Sequence, residues 1–234
     1  MRQILTINGK PLSDFNCFYD GSEWFRKPER MIETYSVVGK NGDLAISEGR
    51  YSNIEIPFRC FIRDDFKDNY SNLLAYLADN EDNYMRVESN EEPDIYREGL
   101  FSSEIQPSMW QFNRNGTFTL EFNFKPQKWL KSGEIGINLL SSNTLMNPTN
   151  FTALPLFEVI GTGTLNVGSS TLVLANNTST TYIDCEMQDC YEGTINRNPD
   201  LTITGGFPKL EKGQTTITFS SFTSVKLYPR WWKL

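Results

Sequence analysis

The residues able to do chemistry in this chain of 234 are mainly carboxylates: Asp and Glu number 29, and there is no histidine. Without histidine there is no Ser-His-Asp or Cys-His centre, and the commonest zinc ligand is missing. General acid–base work near neutral pH also loses its usual carrier. A glycosidase-type pair of carboxylates remains open, and it needs two acids facing each other across a cleft. The acids instead fall in runs such as Asp64-Asp65, Glu81-Asp82 and Glu91-Glu92-Pro93-Asp94. Such runs read as solvated faces. No catalytic residue is nominated, and the expectation is a protein that is not an enzyme.

Other chemistry is equally thin. Cys17 and Cys60 are far apart in sequence, so with Cys185 and Cys190 they do not make two close pairs for a four-thiolate zinc site. Cys185 and Cys190 are spaced to meet across a tight turn, but reduced, buried thiols are the expectation for all four. Gly161-Thr162-Gly163 and Gly205-Gly206 continue into neither a dinucleotide fingerprint nor a P-loop. They read as turns, so no cofactor or metal is expected. Sequons such as that at Asn176 carry no weight without a secretory signal.

The net charge of -7 opposes binding to phosphate backbones, and no basic run exceeds two residues. Nucleic-acid recognition is therefore not expected. No stretch approaches the roughly 20 apolar residues of a membrane span. The N-terminal residues 1–9 read as a short strand and turn without the apolar core of a signal peptide. Synthesis in a cytosol, without membrane insertion, is the expectation.

The elements that would position these residues are mostly strands. Residues 3–8 alternate and stop at Asn8-Gly9. Residues 14–30 are aromatic but aperiodic, with Phe15, Phe18, Tyr19, Trp24 and Phe25. They read as an extended arm or a long loop that must bury itself on its own domain or on a neighbouring subunit. A strand over 31–38 leads into Gly39-Lys40-Asn41-Gly42-Asp43, where Asn-Gly is a strong hairpin signal. Ile54, Ile56, Phe58, Cys60 and Ile62 repeat at period two, with Pro57 suggesting an edge or a bulge. One helix is expected at about 65–79, capped by Asp64 or Asp65, with Phe66, Tyr70, Leu73, Leu74 and Leu77 on its apolar face. Phe118, Leu120, Phe122 and Phe124 mark the clearest strand.

These features predict a mostly β protein of two domains. The first, over 1–130, is a sandwich or barrel-like domain with one helix and the arm. Residues 131–153, rich in Ser, Asn, Thr and Gly, read as a linker. Beyond it, 154–234 shows short strands at 156–160, 164–167, 171–175, 181–186, 200–204, 215–220 and 224–228, the pattern of a β-sandwich or compact barrel.

The order of these pieces resembles the distal tail (Dit) proteins of siphophages infecting Gram-positive bacteria. In the first half the resemblance rests on Tyr35-Ser36-Val37-Val38-Gly39-Lys40-Asn41-Gly42-Asp43-Leu44, the lone helix, and Phe122-Asn123-Phe124-Lys125-Pro126. In the second it rests on Pro155-Leu156-Phe157-Glu158-Val159, Tyr182-Ile183-Asp184-Cys185-Glu186, Gly206-Phe207-Pro208 and Pro229-Arg230-Trp231-Trp232. The resemblance implies a homo-hexameric ring at the tail tip of a virion, made in the bacterial cytoplasm. Its partners would be the tail tube protein, the tail-associated tip protein (tail lysin), and a receptor-binding protein or its adaptor. It further implies a galectin-like fold for the second domain. Trp24, Phe25, Gly39, Asn41, Gly42 and Asp43 would then belong to a subunit interface, and Trp231 and Trp232 to partner docking.

Galectin sugar sites use a histidine, which this chain lacks, so lectin activity does not follow from the fold. The competing reading is a carbohydrate-binding module or adhesin that stacks sugars on exposed Trp24, Trp110, Trp129, Trp231 or Trp232. Core or interface packing is the commoner fate of such rings.

Overall fold

The computed structural model describes residues 3–110, 114–175 and 179–234, so the sequon at Asn176 lies outside the described residues. The first strands are β1 (Leu5–Ile7), β2 (Lys10–Pro11), β3 (Cys17–Tyr19), β4 (Arg30–Tyr35), β5 (Leu44–Tyr51) and β6 (Ile54–Ile62). After helix α1 (Phe66–Ala78) come β7 (Met85–Ser89), β8 (Ile95–Phe101), β9 (Ser108–Trp110) and β10 (Asn115–Leu130). The short strands β11 (Ile137–Asn138), β12 (Ser142–Asn147), β13 (Leu156–Ile160), β14 (Gly163–Val167), β15 (Ser170–Leu174) and β16 (Thr180–Asp184) follow. The last are β17 (Asp189–Glu192), β18 (Ile195–Asn196), β19 (Leu201–Thr204), β20 (Gly213–Ser220), β21 (Ser224–Tyr228) and β22 (Trp232–Lys233). The chain forms two compact units that meet in sequence between Lys128 and Trp129.

In the first unit the strands run in the order β2-β1-β7-β8-β10-β6-β3, with β9 added beside β10. The sheet curls back on itself, because the Tyr19 N–H donates to the Gln3 carbonyl at 3.2 Å and joins its two ends. Period-two patterning sets the register. Phe118, Leu120 and Phe122 of β10 face Cys60, Phe58 and Ile56 of β6, and all six are buried. One-sided burial locks this pairing, since a slip of one residue would turn every ring outward. The pairing with β3 reaches only Cys60–Ile62, so at Pro57 only the β10 side of β6 is paired. Helix α1 buries Phe66, Leu73 and Leu77, whereas Leu74 stays exposed. Asp65 occupies its cap position but makes no side-chain cap bond; it is held at a φ of 47°. Gly116 lets the helix come close, because a Cβ there would stand 2.3 Å from the Phe66 ring.

Residues 14–30 are not an arm. They fold as two 3-10 turns, Leu12–Phe15 and Gly21–Phe25, around β3. Phe15, Tyr19 and Trp24 are buried in the first unit's own core. The periodicity is broken by left-handed Asn16 (φ 49°) and by the turns, which is why no strand or helix pattern shows. The projecting element is instead the hairpin β4–β5, a separate two-stranded sheet.

The second unit stacks two sheets, β11-β21-β13-β16-β17-β18 and β12-β20-β14-β15-β19. Phe157, Val159, Ile183 and Leu227 of one face Leu165, Val167, Leu172 and Ile217 of the other in a shared core. Residues 131–153 are part of this unit, not a linker: β11 pairs with β21 and β12 with β20. Their polar composition is that of edge strands with one solvated face. Asp184 is buried and accepts two hydrogen bonds from Arg230, at 2.7 and 2.8 Å. Burial opposes its charge, but Arg230 and the N–H groups of Met187 and Glu186 outweigh that and hold its pKa below the ordinary value.

Two outcomes are expected. Phe58→Ala, which removes a ring packed on Tyr19, Trp24, Phe122 and Phe124, lowers stability by about 3–5 kcal/mol in a urea titration. The Asp184 contribution is complete above the unfolded-state pKa of about 3.9 and is lost as pH falls through the lower folded value. The urea midpoint of the second unit therefore drops below about pH 4, and Asp184→Asn flattens that drop.

Candidate functional site: an exposed hairpin arm

Strands β4 and β5 are joined by residues 36–43, and nothing in the first unit covers either face. The Lys40 N–H donates to the Val37 carbonyl at 3.1 Å, and Gly39 and Gly42 take φ of 81° and 82°. Those angles suit glycine, so the sequence makes the reversal locally. At the base, Arg30 lies over the Tyr51 ring at 4.8 Å and the Ser52 N–H donates to the Glu29 carbonyl at 3.0 Å.

Register decides what the arm displays. Tyr35 pairs with Leu44 and Glu33 with Ile46, so Tyr35, Leu44 and Ile46 share one face. Val37 and Val38 follow at the tip, and Val38 is wholly exposed at 103%. Ile32 is exposed on the opposite face. A two-stranded hairpin is marginal by itself in water. Contiguous apolar exposure of this kind marks an interaction surface. Burying such side chains is worth about 1.5–3 kcal/mol each before ordering costs.

The candidate residues divide. Gly39, Asn41, Gly42 and Asp43 lie in the exposed loop of the arm, and Phe25 is exposed near its root. Trp24 is not an interface residue: it is fully buried, and its indole N–H donates to Glu92 at 3.0 Å. Trp231 is likewise buried, in the second unit's core. Trp232 is half-buried, stacked on Phe151 at 4.4 Å and donating to the Thr152 carbonyl. Trp231 thus packs inside the unit, whereas Trp232 keeps part of its ring exposed. Of the five tryptophans, Trp110 has an exposed ring. Ile32, Tyr35, Val37, Val38, Leu44 and Ile46 are the residues that sequence patterning missed. Their alternation looks like that of any half-buried strand, and only the absence of a covering layer reveals them.

Among the described residues no group of three or more His, Cys, Asp or Glu could hold a metal. A cleft lined by Asp20, Arg59, Phe61, Glu104, Thr117 and Thr119 runs along the first unit. All four thiols are free and buried. Burial pushes Cys60 well up, Cys185 up to about 12 and Cys190 up to about 11. No helix among the described residues is long and apolar enough to cross a membrane.

Against solved structures, the chain superimposes on Dit (gp 19.1) of phage SPP1 with a TM-score of 0.71. The two share 14% identity, over 97% of this chain and 98% of that one. The chain has the fold of a Dit protein. Chains of the phage p2 baseplate in its activated conformation also match this Dit fold, with strontium (TM-score 0.54, 10% identity, 96% and 97% covered) and with calcium (0.55, 10%, 97% and 98%). No family model and no curated protein sequence matches the chain. The mostly β class and the one helix expected from sequence are those of the Dit fold.

The burial contrast is measurable. Trp24→Ala is expected to destabilise the monomer by about 3–5 kcal/mol. Val38→Asp is expected to change it by less than about 0.5 kcal/mol, as read by urea unfolding.

Proposed function

We propose that the chain is a structural hub of a phage tail tip, acting by assembly and not by catalysis. The observation that carries this reading is the exposed apolar arm on a chain whose whole length follows the fold of SPP1 Dit, described as a paradigm of the hub adsorption apparatus in phages infecting Gram-positive bacteria. A projecting apolar arm meeting a different surface on the next copy is a head-to-tail contact, which closes into a ring where the rotation allows. The ring proposed here is a hexamer built by the first units through Phe25 and the arm, including Gly39, Asn41, Gly42 and Asp43. Its faces join the tail tube protein to the tail-associated tip protein. The second unit, proposed as galectin-like, carries the receptor-binding protein or its adaptor, and the assembly resides in the virion.

The domain division proposed with this function is a ring-forming unit followed by a sandwich that offers docking surface. Sugar stacking on tryptophan has weaker support, since Trp24 and Trp231 are buried and Trp232 is stacked internally. Native mass spectrometry of the purified chain is expected to give about six times 26.9 kDa, with a central channel in electron micrographs. Val38→Asp combined with Ile46→Asp is expected to reduce the mass to that of one chain. An assembly without a channel, or one indifferent to both substitutions, overturns the proposal.

A further inference from the structure

The first unit buries a guanidinium beside two aromatic rings. Arg97 stands in the middle of β8, is 0% exposed, and lies between the rings of Trp24 (5.5 Å) and Phe124 (5.7 Å). Its Nη2 donates to two carbonyls, those of Trp24 at 3.2 Å and Arg26 at 3.0 Å. Its Nε and Nη1 have no hydrogen-bond partner. Loss of solvent lowers its pKa to about 10, with Glu92 opposing the shift. A buried ion with donors unspent is a poor source of stability, and apolar replacements of such groups are often neutral or stabilising.

Its two bonds have a definite address. They fall on the end of the 3-10 turn Gly21–Phe25, whose last carbonyls would otherwise lack partners and carry partial negative charge. Four residues, 26–29, separate that turn from the arm, and one of them is buried Pro28, whose φ is fixed. The arm's other root is tied as well: the Asn53 amide donates to Asn123 Oδ1 at 2.8 Å, just before β6. Between the two roots the Ser52 N–H donates to the Glu29 carbonyl at 3.0 Å.

We infer that Arg97 is the positioning residue of the arm, a buried latch that fixes the direction in which the arm leaves the barrel. The inference rests on the reading of the arm as the segment that joins copies, and its test separates the two. Arg97→Met and Arg97→Leu fill the site without donors, and Val38→Asp alters the arm tip with the latch intact. Thermal unfolding, hydrogen exchange at the Arg26 and Ser52 amides, and native mass are measured for each.

The Arg97 variants are expected to melt within a few degrees of the parent, to exchange those two amides at least tenfold faster, and to lose at least tenfold in assembled fraction at equal concentration. Val38→Asp is expected to lose assembly with both amides still protected. Arg97 variants that assemble normally while Val38→Asp does not overturn the latch and leave the arm reading standing. Failure of both Arg97 variants to fold also overturns it, since the residue then serves the fold itself. Normal assembly of Val38→Asp overturns the arm reading, and the latch with it.

Discussion

The Phe58 ring is the contact on which the first unit depends. It touches Tyr19 of β3, Trp24 of the turn Gly21–Phe25, and Phe122 and Phe124 of β10. A ring cluster of this kind closes the curled sheet from inside, because the end strands are tied at the rim by one backbone bridge between Gln3 and Tyr19. It also captures residues 14–30, which have no periodicity to fold them alone. Aromatic contacts add about 0.5–1.5 kcal/mol each beyond area burial. With rings supplying the interior, the barrel can give its remaining volume to Arg97.

That arrangement explains which parts were legible in the sequence. Strands β6 and β10 and helix α1 announce themselves, since a one-sided core forces periods of two and 3.6. The hairpin at Asn41-Gly42 is equally plain, because it is made by local backbone preference. Residues 14–30 are aromatic enough to require burial, but composition does not say in whose core. The burial of Trp24 is decided by Phe58, Glu92 and Arg97, all more than thirty positions away in the numbering. Residues 142–147 look like a linker for the same reason: β12 is an edge strand, and its partner β20 begins at Gly213.

The candidate site was the least legible part. Val37, Val38, Leu44 and Ile46 have the composition of any buried strand, and exposure is a property of what lies opposite. The arm thus carries the composition of a buried strand on exposed faces. The two units handle their polar groups differently as well. Asp184 and Arg230 satisfy each other in a bidentate pair, whereas Arg97 is left with donors unspent.

The four thiols bear on durability. Only the thiolate form reacts readily, and burial keeps Cys60, Cys185 and Cys190 as neutral thiols far above ambient pH. Cys17 is sealed in the same interior as Cys60. Buried and protonated, these thiols are poor nucleophiles and poorly placed for oxidation.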